Sequence, residues 1–311
     1  MPEGPVSRRD ALAAGWTDSA LSRAVRSGRL TRVRRGYFIA GPADVDDAAR
    51  AVVASCAGTV ISHRSAARLY GLPLIGQPPS IPELTIAPRA PGSLVAAHLY
   101  RASLDTADVV QIGDLPVTSV ARTVIDLARH LSQNAAVAAA DFALHEQLVT
   151  AEELDAVARR SANWPGIARA RRSLARADAR AESPLESISR LVLDRSELPR
   201  AVLQQRIGTQ DGNFVARVDF GWAALGVVGE ADGLLKYDDR DVLREEKLRQ
   251  ERLEQLGLIV VRWGWRDITR EPETVTGRIS AALDRRSRSS LPTLWSVLPD
   301  WTGNNVGKPA N

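Results

Sequence analysis

Between residues 215 and 263 the hydrophobic pattern changes period twice, and no other feature restricts the fold of this chain as much. Val215 to Phe220 reads as a strand with Asp219 near its end. Ala224 to Ala231 reads as a second strand, apolar until it closes in Glu230-Ala231-Asp232-Gly233. Asp241 to Leu256 is a long helix candidate, and Leu258 to Trp263 is a strand of the buried type. Strand, helix and strand over this length fit a crossover unit in an α/β sheet.

The acids in this segment suggest chemistry. Side chains two apart on a strand point the same way, so Glu230 and Asp232 share a face. If the two strands are neighbours, Asp219 sits beside them near one sheet edge. Carboxylates packed together raise one another's pKa values, a cost that a divalent cation removes. Hard cations favour oxygen ligands, so Mg²⁺ or Mn²⁺ on Asp219, Glu230 and Asp232 is the expected metal set. Such an ion could polarise a scissile phosphate and lower the pKa of an attacking water. An ordinary surface hairpin is the competing reading, because Asp-Gly at a strand end is a common turn signal.

The flanking segments add candidates. On a helical wheel Glu245, Arg249, Leu253 and Leu256 share one side, so the charged pair either lies buried and matched or faces the carboxylates. Lys236, Lys247, Arg249 and Arg262 are the bases expected to touch phosphate or stabilise transition-state charge. Upstream, Ser183-Pro184-Leu185-Glu186 opens a helix, with Ser183 as cap, proline in the first turn and Glu186 three residues beyond the cap.

The N-terminal segment has a different organisation. Arg8–Ala14 and Asp18–Ser27 read as short helices, with Thr17 or Asp18 as the second cap and Gly28 as a left-handed stop. Leu30 to Ile39 follows as a small hairpin around Arg34-Arg35-Gly36. Helix, short turn, helix and hairpin is the order of a winged helix-turn-helix. From Arg23 to Arg35 the chain carries Arg23, Arg26, Arg29, Arg32, Arg34 and Arg35 and no acid. Such a helix can enter the major groove while a basic wing touches phosphates. A small helical cap with a solvated arginine face is the alternative.

Between these parts the pattern is mixed. Helices are expected over 45–57 and 63–70, the latter capped by Ser62, and short strands at 59–61, 84–87 and 94–100. From Thr118 to Arg160 the sequence is helical and alanine-rich. Arg122 and Asp126, four apart, are expected to form an ion pair. The four histidines, His63, His98, His130 and His145, show no tight ligand spacing, and Cys56 reads as a small buried residue in a helix. Residues 161–182 are rich in arginine, either a nucleic-acid-facing helix or a solvated connector.

The chain of 311 residues is long enough for two or more domains, and 44% hydrophobic residues supply their cores. A single cysteine excludes an internal disulfide. No apolar run suits a membrane or a secretory signal, so a cytoplasmic protein with no membrane partner is expected. The net charge of +4, from 41 basic and 37 acidic residues, says less than the clustering of the arginines.

Two resemblances extend this reading. Ala13 to Ile39, Ile61-Ser62-His63-Arg64-Ser65-Ala66-Ala67 and the run Val117 to Leu127 resemble the antitoxin-type regulators of abortive-infection, type IV toxin–antitoxin systems. That resemblance implies promoter DNA as a partner of the N-terminal winged helix, with a protein toxin as a possible second partner. Asp219, Glu230-Ala231-Asp232-Gly233, Lys236-Tyr237, Glu246-Lys247-Leu248-Arg249, Leu256-Gly257 and Val261-Arg262-Trp263 resemble the endonuclease-like domain related to very-short-patch repair enzymes. These belong to the broader PD-(D/E)xK nucleases. The second resemblance implies that Glu186 is a first-helix carboxylate, Asp219 the motif aspartate and Glu230 the second metal ligand. Asp232 stands where the broad family places its lysine, a role that Lys236 or Lys247 would have to fill.

The expectation is therefore an α/β multidomain chain: a winged helix-turn-helix at 1–42 and a mixed regulator-like region at 43–160. A basic connector at 161–182, an endonuclease-like domain at 183–285 and a partly mobile tail at 286–311 follow. Two functions fit it. One is a DNA-binding, metal-dependent endodeoxyribonuclease; the other is a non-enzymatic regulator or antitoxin.

Overall fold

A computed structural model describes residues 4–89, 97–232, 240–289 and 293–299, with the side chains of 240–246 outside the description. The chain divides into two units, residues 1–177 and 178–311. It is an α/β protein of more than one domain, and its first residues form a winged-helix arrangement.

In that arrangement β1 (Val6–Ser7) leads into α1 (Arg8–Ala13) and α2 (Asp18–Arg26), and the hairpin of β2 (Leu30–Arg34) and β3 (Tyr37–Ala40) follows. The sheet order is β1-β3-β2. The cap of α2 is Thr17, whose hydroxyl accepts the Ala20 N–H at 3.2 Å. Gly28 and Gly36 have φ of 72° and 79°, which lets the chain leave α2 and turn at the wing tip. Leu21 and Ala24 from α2 pack with Val6, Ala11, Leu30 and Phe38. The opposite side of α2 is left to solvent.

The rest of the first unit contains α3 (Val45–Ser55), β4 (Val60–Ile61), α4 (His63–Leu69), β5 (Glu83–Ile86), β6 (His98–Arg101), β7 (Val109–Ile112) and β8 (Leu115–Thr118). The strands form a sheet in the order β6-β5-β4-β8-β7, parallel at β4–β8 and β5–β6. Next come α5 (Val120–His130), α6 (Gln133–His145), α7 (Ala151–Arg160) and α8 (Ile167–Leu174). Helix α5 is buried from Ala121 to Ala128, so its charges must be matched internally. The Arg122 guanidinium meets Asp126 at 2.8 Å, as the four-residue spacing suggests, and Asp108 at 3.0 Å, and it lies over the Trp164 ring. From α8, Ile167 and Ala170 join the same core, while Arg169 and Arg171 donate to the backbone carbonyls of Arg129 and Ala158. Those two arginines serve helix packing.

Three local expectations are corrected in this unit. Cys56 is the half-buried C-cap residue of α3 rather than a core side chain, and its Sγ accepts from Arg34 at 3.2 Å. The Ser62 side chain makes no capping bond; its hydroxyl pairs with His63 Nδ1 at 2.9 Å and accepts from Thr85. The strand read at 94–100 is observed at His98–Arg101, and 94–96 lie outside the described residues.

The second unit begins with α9 (Pro184–Leu193), where Ser183 caps through the Glu186 N–H as its sequence indicates. It continues with β9 (Val202–Thr209), β10 (Phe214–Trp222), β11 (Val227–Ala231), α10 (Arg240–Gln255), β12 (Ile259–Trp263), α11 (Trp265–Arg270), α12 (Pro272–Ser287) and β13 (Trp295–Leu298). The sheet order is β12-β11-β10-β9-β13, and β11 pairs parallel with β12 across the α10 crossover. The expected strand at 224–231 starts later, because Ala223–Leu225 form a single tight turn closed by Gly226 at φ 73°. Trp263 sits over Gly229, where a Cβ would lie 2.5 Å from the ring, and its indole N–H donates to Ser189. That packing fixes the β11–β12 ends against α9.

Candidate nucleic-acid interface and carboxylate cluster

The winged-helix arginines are mostly outward-facing. Arg23, Arg26, Arg29, Arg32 and Arg35 are exposed, whereas Arg34 is half-buried and tied to Cys56. The nearest acid on α2, Asp18, is not an open charge. Arg8 grips it through two bonds of 2.7 and 2.6 Å, which raise the arginine's pKa and lower that of the aspartate.

In the second unit the β10–β11 register pairs Phe220 with Gly229, which brings Asp219 to the Glu230 end of β11. The Ala231 N–H donates to Asp219 Oδ2 at 2.8 Å. Glu230 is 3% exposed; one of its oxygens accepts from Arg249 at 3.0 Å, and the other, Oε1, is buried with no hydrogen-bond partner among the described residues. Arg249 reaches this point because Leu253, one turn further along α10, packs with Val218 and Val228. Burial, reinforced by Asp219, pushes the Glu230 carboxyl up to about 7. Burial, reinforced by Glu186, pushes Asp219 up to about 6. Near neutral pH these two groups can hold and exchange protons, as acid–base centres do.

The other expected residues are placed as follows. Asp232 receives Arg262 at 3.0 Å. Glu186 is buried, and its carboxylate accepts from the Glu182 N–H, the Ser183 hydroxyl and Gln204 Nε2 at 2.7–2.9 Å. Lys247 is exposed and lies 3.9 Å from Glu251 on its own helix. Lys236 lies outside the described residues, as does the side chain of Glu245. Among the described residues, no group of three or more His, Cys, Asp or Glu side chains has the geometry to hold a metal ion. Gln204, which orients Glu186 from a left-handed backbone at φ 51°, was not expected from sequence. Its only signal is a polar pair inside an apolar strand.

A third polar cluster lies in the first unit. The His63 ring is buried and stacks on Tyr100 with centroids 3.4 Å apart, with His130 at its edge and His98 beside Tyr100. Burial, then the charges of His130, Arg122 and Arg129, hold His63 well below its ordinary 6.5.

The profile of the family described as "Transcriptional regulator, AbiEi antitoxin" matches residues 3–40, the span of the winged helix. The N-terminal segment is an antitoxin-like winged helix. Two relatives, the uncharacterized proteins MT2308 and Rv2248 from Mycobacterium tuberculosis strains CDC 1551 / Oshkosh and ATCC 25618 / H37Rv, are each 33% identical over 168 residues. The match takes in 54% of this chain and 62% of each relative's length. Among solved structures, the RV2827C protein from the same species aligns with a TM-score of 0.39 at 17% identity, over 64% of this chain and 83% of that one. No described helix is long and apolar enough to cross a membrane.

Proposed function

We propose that this chain is a DNA-binding transcriptional regulator of the antitoxin type, acting through its N-terminal winged helix on double-stranded DNA. The observation that carries the reading is the coincidence of the family match at residues 3–40 with a helix–helix–hairpin whose exposed arginines have no open acid among them. Arginines neutralising phosphates release counterions, so binding to an upstream region should weaken steeply with salt. Deleting residues 1–40 should abolish that binding, measured by fluorescence anisotropy on a labelled duplex. Binding that survives the deletion unchanged would refute the assignment.

One observation favours a second activity in the second unit. The buried Glu230 oxygen beside Asp219, unpartnered among the described residues, is an oxygen ligand of the kind that a hard cation takes. In this reading Asp219 and Glu230 would hold Mg²⁺ or Mn²⁺, and Asp232 would join them only on leaving Arg262. The ion would supply Lewis-acid activation of a phosphodiester and of water. Glu186, whose charge raises the Asp219 pKa, would add negative potential that draws a cation, and Arg249 and Arg262 would orient the acids. Lys247 and Lys236 are the candidates for the proton-handling base. Mn²⁺ should then raise the melting temperature of the wild type but not of Asp219→Ala or Glu230→Ala, and nicking of plasmid DNA should vanish in both variants. Intact DNA and an unmoved melting temperature would leave the regulator alone.

A further inference from the structure

A cavity of about 710 Å³ lies inside the first unit, walled by the end of β3, by helix α3 and by the β7–β8 turn. Local chemistry holds each wall in place. The Tyr37 hydroxyl of β3 donates to the Ala54 carbonyl of α3 at 3.1 Å. A capping box at Asp44 fixes the first turn of α3 and with it Asp47. Gly113, at φ 61°, allows a tight turn that carries Asp114 between the paired residues Ile112 and Leu115. Ile39, Val53 and Leu115 give the cavity an apolar side.

Two charged side chains on the remaining side are open. Arg50 makes no hydrogen bond among the described residues, and its ion pair with Asp47 is loose, at 3.6 Å. Asp47 is already engaged, since it accepts the Asp44 N–H at 3.1 Å. Asp114 is exposed and has no partner among the described residues. Arg50 and Asp114 therefore line one cavity with opposite charges and do not pair with each other.

We infer that this cavity binds a dipeptide-sized zwitterion with an apolar body, its carboxylate on Arg50, its ammonium on Asp114 and its side chains on Ile39, Val53 and Leu115. Sites for small molecules have volumes of roughly 300–1,000 Å³ and combine an apolar wall with a few placed polar groups. The guanidinium fork matches a carboxylate, and a lone carboxylate suits an ammonium. A ligand with one charge leaves the other side chain unmatched, so the pair selects for both signs at once. The competing account gives Arg50 to Asp47 alone and Asp114 to the turn, where aspartate is common. The site does not depend on the DNA-binding reading, and it is tested on the free protein.

The full chain, labelled at the isoleucine Cδ1 methyl groups, is titrated with leucyl-leucine and followed by NMR, with Ile39→Val identifying the Ile39 signal. Leucyl-leucine should shift that signal saturably. N-acetylation removes the ammonium and amidation removes the carboxylate, and each should weaken binding at least about tenfold. Arg50→Gln and Asp114→Asn should each weaken the uncapped dipeptide by a similar factor, with a dispersed methyl spectrum showing that the variants fold. Should either variant not fold, the capped dipeptides on the wild type decide alone. An Ile39 signal that no dipeptide moves overturns the site. A capped dipeptide that binds as tightly as the uncapped one, or a folded variant with unaltered affinity, overturns the two-charge recognition.

Discussion

Replacing Glu230 by glutamine removes one charge from the carboxylate cluster without changing shape, and the expected effect follows from its displaced pKa. Glu230 titrates near 7 in the folded chain against an ordinary 4.5. The folded value is the higher one, so the group's contribution to stability is fully present below pH 4.5 and is lost as pH rises through about 7. One pKa unit corresponds to about 1.4 kcal/mol, so the loss over that window is about 3 kcal/mol. Glutamine does not ionise, and Arg249 can turn to solvent. Glu230→Gln should therefore be more stable than wild type by about 3 kcal/mol at pH 8 and should converge with it toward about pH 5. The assay is urea unfolding followed by tryptophan fluorescence, in a background with Trp16→Phe and Trp164→Phe. The tryptophans that remain all belong to the second unit. A variant no more stable than wild type at pH 8, or a difference that does not change with pH, would refute the reasoning.

Other perturbations probe the first unit, the strand packing and the DNA face. His63 is held below 6.5, so its contribution is intact above that pH and falls as the pH drops below it, by up to about 1.4 kcal/mol per pH unit. His63→Gln should remove this slope, as seen in denaturation of the first unit at pH 7 and pH 5. Arg122→Met leaves Asp108 and Asp126 buried with one cation fewer and should cost about 3–5 kcal/mol in the same assay, whereas a loss under about 1 kcal/mol would contradict the burial argument. Gly229→Ala drives a methyl group into Trp263 and should cost about 1–3 kcal/mol in the second unit, with a shift in tryptophan emission. Arg8→Ala should weaken binding to any duplex severalfold, and adding Asp18→Asn should restore it, because the defect is an uncovered negative charge. Failure of the rescue would assign Arg8 a purely structural role.

Much of the fold was legible because local signals and packing agree. Ser183-Pro184-Leu185-Glu186, Thr17 and Gly28 are caps whose chemistry acts within one turn, and each is found where its spacing indicates. The parallel β11–β12 pair follows from the strand–helix–strand lengths. Strand β9 was not anticipated, since Gln204, Gln205 and Arg206 interrupt its apolar pattern. Those residues are polar for reasons visible only in three dimensions. Gln204 serves Glu186, and Gln205 accepts the Ala223 N–H beside Gly221, where no Cβ would fit. Likewise β8, which forms a local hairpin with β7, joins the sheet through a parallel pairing with β4, far away in sequence.

The carboxylate cluster shows where reasoning from residue types stops. Repulsion among clustered acids is costly, and from sequence a divalent ion is the economical remedy. The folded chain displays three further remedies. Arg249 and Arg262 each take one acid, the Ala231 amide takes Asp219, and the raised pKa values keep protons on Asp219 and Glu230 into the neutral range. Clustering therefore does not by itself require a cation for folding, and the pair can be stable with protons in its place. The two states differ in one measurable respect. If Asp219 and Glu230 bind Mn²⁺, the ion must displace those protons, so its stabilising effect should grow as pH rises from about 6 to about 8. If the cluster is held by arginines and protons alone, Mn²⁺ should leave the stability curve unmoved at every pH, and the titrations of Asp219 and Glu230 should be the whole of the site's behaviour.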